Sequence, residues 1–93
     1  MTEEMVKLRK MLDEKNIVYL DKSDPLDWQI RIDRTHFFYN KNFYSVIHGY
    51  GTYGGISLYG KDHKLLEVQI GNHEPVGFKT ADDVMKMLEG NND

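Results

Sequence analysis

Two runs of aromatic and β-branched residues beside an asparagine-rich turn constrain the fold of this chain most. The runs are Thr35–Tyr39 and Phe43–His48, and they flank Asn40-Lys41-Asn42. Asparagine tolerates the left-handed backbone angles of tight hairpin turns, so the pattern predicts two antiparallel strands joined by a short loop. Alternation along the second strand divides its side chains between two faces: Phe43, Ser45 and Ile47 on one, and Tyr44, Val46 and His48 on the other.

Four further segments have the composition or the alternation of strands: Ile17–Leu20, Trp28–Asp33, Ile56–Tyr59 and Leu65–Ile70. In the second of these, Trp28, Ile30 and Ile32 share the apolar face, and Gln29, Arg31 and Asp33 share the face expected to meet water. A turn is expected before Thr35. The segment around Pro75 and Gly77 is expected to be a loop.

Both ends of the chain have the periodicity of amphipathic helices. Met5, Leu8 and Leu12 recur at helical spacing, which predicts a helix over 3–15 with Thr2 as its N-cap and Asn16 in the left-handed C′ position. Near the other end, Thr80 is the expected N-cap of a second helix, with Asp83 completing a capping-box variant. The stripe of that helix is Ala81, Val84, Met87 and Leu88, and Gly90 is expected to end it.

This order of elements indicates one α+β domain over residues 1–93, with residues 90–93 as a frayed tail. We expect an antiparallel β-sheet of about five strands with the N- and C-terminal helices packed on one face. The chain contains no cysteine, which excludes a disulfide, a thiolate zinc site and a cysteine nucleophile. The N-terminus lacks the pattern of a signal peptide, and no apolar run reaches the roughly 20 residues that span a bilayer. A cytoplasmic protein without a membrane partner is therefore expected.

The charge distribution argues against a duplex nucleic acid as partner. The formal net charge is −3, with a net positive segment at residues 28–48 and a net negative one at residues 79–93. No basic stripe spans the chain, but a local spot for one anion is compatible with this pattern. Arg31, Arg34 and His36 are the candidates, because guanidinium groups bind phosphate or carboxylate in a fork geometry. The alternative is a solvated sheet face with Asp33 as a neighbour.

The most distinctive candidate segment is a glycine-rich loop that follows the second hairpin strand. Its G-x-G-x-x-G spacing requires a helix directly after it to bind a dinucleotide, and Ile56–Tyr59 has strand-like alternation instead. The lysine and catalytic-loop motifs of a kinase are missing too. Two hypotheses stay open: a clamp whose amides and tyrosine rings hold a ligand, or a tight structural turn. The candidate ligand-binding residues here are His48, Gly49, Tyr50, Gly51, Thr52, Tyr53 and Gly54.

Histidine chemistry provides the enzyme alternative. A small metal- or histidine-dependent hydrolase would use His36, His48 and His63 with Glu67. No pair of histidines has a spacing that places metal ligands together locally, and no G-x-S-x-G motif surrounds Ser45. We therefore assign no catalytic residue, no metal ligand and no cofactor.

Three stretches resemble a group of small phage and prophage proteins of Firmicutes: Arg34–Phe37, Tyr44–Gly55 and Leu65–Glu67. Thr80–Val84 is similar to that group as well, so the resemblance covers nearly the whole chain. Small phage accessory proteins commonly inhibit host factors or counter host defences. By that analogy we expect a non-catalytic binding protein acting in counter-defence or host modulation, whose partner is a host protein or a nucleotide-like small molecule that it sequesters.

A third hypothesis is a structural or assembly protein. Its aromatic sheet face would be an interface between copies of the chain. The aromatic content is compatible with a homo-oligomer under any of these hypotheses.

Overall fold

The computed structural model of the chain describes residues 1–23 and 31–90. Within these ranges the elements are α1 (Glu3–Glu14), β1 (Tyr19–Asp21), β2 (Ile32–Tyr39), β3 (Asn42–Gly49), β4 (Leu66–Ile70), β5 (Val76–Lys79) and α2 (Ala81–Gly90). Each strand pairs antiparallel with the next, which gives a sheet of order β1-β2-β3-β4-β5. This confirms the predicted α+β class. Neither described helix has the length and apolar character needed to cross a membrane.

Both helices pack on the same face of the sheet. Burial alternates along β2 and β3, because successive side chains of a strand point to opposite faces. The core is a cluster of buried side chains from the two helices and the three central strands: Met5, Leu8, Leu12, Phe37, Tyr44, Val46, Leu66, Val68, Val84 and Leu88. The predicted faces of β3 are thereby confirmed, with Tyr44, Val46 and His48 toward the helices. We call the opposite side of the sheet, which neither helix covers, the open face.

The local signals for the hairpin and the helix ends are confirmed with one exception. Asn40 and Lys41 have φ angles of 51° and 69°, which is the conformation of a two-residue hairpin turn. At the start of α2, the Thr80 amide donates to Asp83 Oδ2 at 3.0 Å and the Asp83 amide donates to Thr80 Oγ1 at 3.1 Å. Thr2 occupies the N-cap of α1, but its side chain makes no capping hydrogen bond.

One strand prediction and one loop prediction were wrong, and the glycine-rich loop is involved in both. Ile56 forms only isolated bridges, after which the chain turns back through Gly60, whose φ is 86°. The fifth strand is instead Val76–Lys79, in the segment predicted to be a loop. Gly77 within it looked like a strand breaker, but its missing side chain is what lets Tyr53 pack against this strand.

The expected turn before Thr35 is absent from the described chain, since β2 runs unbroken from Ile32 to Tyr39. The assignment of its side chains to the two faces of the sheet also differs from the prediction. Asp33 is buried on the helix side, while Ile32 lies half-buried on the open face. Burial of this carboxylate is tolerated because Arg31 Nε donates to Asp33 Oδ1 at 2.7 Å. The rest of the predicted strand Trp28–Asp33, residues 28–30, and tail residues 91–93 lie outside the described ranges.

Candidate functional site

The glycine-rich loop after β3 is closed by its own hydrogen bonds. The Gly49 carbonyl accepts from the Ile56 amide at 2.9 Å and from the Thr52 hydroxyl at 2.9 Å, and the Gly49 amide donates to that hydroxyl at 3.1 Å. The Gly51 amide donates to the Ile56 carbonyl at 2.8 Å, and the Gly55 amide to the Thr52 carbonyl at 3.1 Å. Most of the amides expected to face a ligand therefore donate within the chain in this conformation.

Close packing accounts for three of the loop glycines. A Cβ at Gly49 would lie 2.7 Å from the Arg31 carbonyl oxygen, and one at Gly54 would lie 2.6 Å from the Phe78 amide nitrogen. At Gly55 it would lie 2.5 Å from the Gly49 carbonyl oxygen. Real side chains cannot approach that closely. Gly51 has open space around it but a φ of 80°, which favours glycine, so each glycine of the G-x-G-x-x-G spacing has a structural cause here.

The loop tyrosines lie at the surface. Tyr50 is 42% exposed and Tyr53 is 59% exposed. The Tyr53 amide donates to Glu67 Oε1 at 2.8 Å, and its carbonyl accepts from the Phe78 amide at 3.2 Å. Phe78 itself is 57% exposed and has a φ of 56°, an unusual backbone conformation for a bulky residue. The loop thus holds Tyr53 and Phe78 next to each other at one end of the sheet.

The basic residues predicted to act together are divided between the two sides of the sheet. Arg31 lies on the helix side with Asp33, whereas Arg34 and His36 lie on the open face. There His36 Nε2 lies 3.0 Å from Ser45 Oγ, its register partner on β3. Burial lowers the His36 pKa, and the positive charges of Arg34 and Lys22 lower it further.

Arg31 and His48 do meet, in a cavity of about 430 Å³ between the start of α1 and the end of the sheet that carries the loop. We call this cavity the Arg31 pocket. It is lined by Met1, Thr2, Glu3, Arg31, Asp33, His48, Ile56, Asp62 and Lys64.

One ion pair and one histidine–carboxylate contact organise the Arg31 pocket. Arg31 Nε bonds to Asp33 Oδ1 at 2.7 Å, and the Arg31 side chain is 57% exposed while that of Asp33 is 7% exposed. His48 Nε2 lies 2.9 Å from Asp62 Oδ1, with the histidine 7% exposed. Burial raises the Asp62 pKa, but hydrogen bonds from His48 and from the Lys64 amide lower it more, so this pKa lies below its ordinary value.

The histidines of the hydrolase alternative do not converge. His36 is on the open face, His48 is on the helix side, and the His63 ring stands edge-on to Phe78 with centroids 5.5 Å apart. Among the described residues, no three histidine, aspartate or glutamate side chains are grouped so that they could hold a metal ion.

Three residues that line the pocket were not predicted from the sequence as ligand-binding residues: Asp33, Asp62 and Lys64. Asp62 lies 14 positions from His48, and only the folded loop brings them together. Their charged character alone does not distinguish them from solvated surface residues.

Comparison with protein-family models, with curated proteins and with solved structures finds no match to this chain.

Proposed function

We propose that this chain is a non-catalytic binding protein of phage or mobile-element type that holds a nucleotide-like anion in the Arg31 pocket. By sequestering such a molecule in the host bacterial cell it would act in counter-defence or host modulation. The resemblance of the middle of the chain to small phage proteins supports the biological setting, and the Arg31 pocket supports the mode of action.

The observation that carries the proposal is the way Asp33 holds Arg31. Asp33 engages the guanidinium through Nε at 2.7 Å, and neither terminal guanidinium nitrogen bonds to a described residue. Those two nitrogens can form the paired hydrogen bonds by which arginine binds phosphate or carboxylate. The bond to Asp33 limits the freedom that Arg31 would otherwise lose on binding.

The other lining residues favour a ligand with both an anionic group and hydrogen-bond donors. Lys64 adds a second cation, while Asp62 and Glu3 contribute carboxylates that accept from amino groups. A nucleotide combines a phosphate with the amino and imino groups of a base. The cavity of about 430 Å³ is within the size range of small-molecule sites, roughly 300–1,000 Å³.

Binding is favoured over the hydrolase alternative by the placement of the histidines. His48 is the one that lines the Arg31 pocket, and its Nε2 is engaged by Asp62. His36 and His63 lie elsewhere, on the open face and against Phe78.

Isothermal titration calorimetry tests the proposal. The titrants are nucleoside monophosphates, cyclic dinucleotides and inorganic phosphate, the last to separate nucleotide recognition from simple anion binding. We expect heat with at least one nucleotide, and Arg31→Gln should weaken its binding by roughly tenfold or more, the effect of losing a charged hydrogen-bond donor. No heat from any nucleotide would overturn the proposal.

Two variants provide the comparison for Arg31→Gln. Lys10→Gln removes an exposed positive charge from α1 and should leave binding unchanged. Arg34→Gln removes a nearby arginine that lies on the open face of β2, so an equal loss there would move the site away from the Arg31 pocket.

A host protein is the second candidate target, and the exposed aromatic residues at the loop end favour it. Tyr50, Tyr53 and Phe78 are 42%, 59% and 57% exposed, and aromatic side chains are enriched among the residues that dominate interface energies. Affinity capture from host lysate with wild type and with the Tyr50→Ala/Tyr53→Ala variant tests this. A specific partner that the variant fails to retain would support it, and equal retention would oppose it.

A further inference from the structure

The open face of the sheet combines exposed apolar side chains with charges at fixed register positions. Phe38 is 70% exposed and Leu20 is 56% exposed, while Ile32, Phe43 and Ile47 are half-buried. Phe38 and Phe43 lie on one side of the polar row of His36, Ser45 and Gln69, and Ile47 and Ile32 lie on the other. Exposed apolar side chains on a sheet face are characteristic of a surface that another protein covers.

One row across this face has a charge pattern that complements itself. The register pairs Arg34 with Ile47 and Ile47 with Glu67, so the three residues lie side by side on β2, β3 and β4. Adjacent strands are about 4.8 Å apart, which places the arginine and the glutamate each about one strand spacing from the central isoleucine. Along this row the side chains are therefore positively charged, apolar and negatively charged in turn.

A two-fold rotation about an axis along β3 matches this row to a copy of itself. That operation lays β2 of one protomer over β4 of the other, because β3 is the middle strand of the sheet. Arg34 then faces Glu67 of the second copy, Glu67 faces its Arg34, and the two Ile47 side chains meet on the axis. Facing sheets pack about 10 Å apart, a gap that an arginine and a glutamate side chain together can bridge.

The positions next to this row are compatible with the same packing. The adjacent row is His36, Ser45 and Gln69, all uncharged when the histidine is neutral. At the sheet edges, Leu20 on β1 lies in the row of His36 and Gln69, so it would face the start of β5 near Val76 on the other copy. Uncharged surface thus meets uncharged surface beside the charged row.

We propose that the open face is the interface of a homodimer, with its two-fold axis along β3 and two reciprocal Arg34–Glu67 ion pairs between protomers. Glu67 is preorganised for this role, since its Oε1 accepts from the Tyr53 amide at 2.8 Å and its other oxygen bonds to no described residue. The inference is independent of the Arg31 pocket, which lies on the helix side of the sheet.

The size of the face indicates a dimer that dissociates on dilution. Strands of eight residues are about 26 Å long and five strands are about 19 Å across, so the flat footprint is at most about 500 Å². Standard interfaces bury about 800 Å² per partner. Measurement must therefore extend from micromolar to millimolar protein.

Analytical ultracentrifugation of the full chain over that range tests the proposal. The wild type should pass from monomer to dimer, and Arg34→Glu should raise the dissociation constant by roughly tenfold or more because like charges then face each other. Lys86→Glu, an equal charge reversal on an exposed position of α2, should leave the dissociation constant unchanged. Circular dichroism melts confirm that each variant is folded.

Mixing two single variants is the decisive experiment. Arg34→Glu and Glu67→Arg should each dimerise poorly alone, yet an equimolar mixture should form heterodimers, because every facing pair then has opposite charges. A purely internal role of either residue cannot produce that rescue. A wild type that stays monomeric, a dimer unaffected by Arg34→Glu, or a mixture without heterodimers from folded variants would each overturn the proposal.

Discussion

Gly77 and Tyr53 pack backbone against backbone where the glycine-rich loop meets the edge strand β5. A Cβ built on Gly77 would lie 2.5 Å from the Tyr53 carbonyl oxygen and 2.8 Å from its carbonyl carbon. The neighbouring Phe78 amide donates to that same carbonyl at 3.2 Å. The missing side chain of Gly77 is therefore what lets the loop lie directly against β5.

Gly77→Ala should destabilise the protein through this contact. Overpacking of a close contact costs about 1–3 kcal/mol, and here the opposing atoms are the Tyr53 backbone and Cβ, which cannot rotate away. Gly90→Ala is the matched control, since no atom of the described residues lies within 4 Å of its added Cβ and alanine is the better helix former. Urea denaturation should show a lower midpoint for Gly77→Ala alone. Equal midpoints for the two variants would contradict the packing described.

The same contact shows why the sequence predicted the elements better than their arrangement. Hairpin and helix signals are local: Asn40 and Thr80 act within four residues of themselves, and both predictions are confirmed. Gly77 acts through Tyr53, 24 positions away, so a glycine that is unfavourable in an isolated strand is required in this one. A pattern among neighbouring residues cannot predict a contact between residues so far apart in the sequence.

The residues of the candidate site were likewise predicted only in part. Arg31 and His48 were predicted as ligand-binding candidates from their residue types, and the fold brings both into one pocket. The assignment of Arg34 and His36 to the same cluster failed because β2 continues without a turn and alternation sends them to the open face. Asp62 and Lys64 enter the pocket only through the folding of the loop.

Thr35→Val should expose the role of a buried hydroxyl beneath α1. The Thr35 hydroxyl, fully buried, accepts from Arg9 Nε at 2.8 Å and donates to Met5 Sδ at 3.2 Å. Valine keeps the shape but leaves Arg9 without that acceptor, which should cost about 1–3 kcal/mol. In an Arg9→Met background the same substitution should cost clearly less, since the unpaired donor is gone. A double-mutant cycle measures this coupling, and additive costs would show that the two side chains act independently.

His36 should make stability depend on pH below neutrality. Burial first, and then the charges of Arg34 and Lys22, lower its pKa below the ordinary value of about 6.5. The unfolded chain then binds a proton more readily than the folded one. The contribution of His36 is therefore complete above about pH 6.5 and is lost as the pH falls through the folded-state pKa. Wild type should lose more stability than His36→Gln between neutral and mildly acidic pH.

Proton NMR titration of the His36 ring checks the same point directly. Its midpoint should lie below that of a free histidine, and Arg34→Gln should raise it by removing one of the nearby charges. A wild-type midpoint at or above the free value would show that burial and the two cations do not act on this ring as described.

The two helix N-caps should respond differently to the loss of threonine. Thr80 and Asp83 exchange two hydrogen bonds at the start of α2, and replacing such a cap by alanine costs about 0.5–2 kcal/mol. The Thr2 hydroxyl makes no cap and donates instead to the Lys64 carbonyl at 3.3 Å, a long and exposed bond. Thr80→Ala should therefore lower the free energy of unfolding several times more than Thr2→Ala. Similar losses in the two variants, measured by urea denaturation, would mean that the Thr2 hydroxyl stabilises α1 in solution in a way that this bond does not explain.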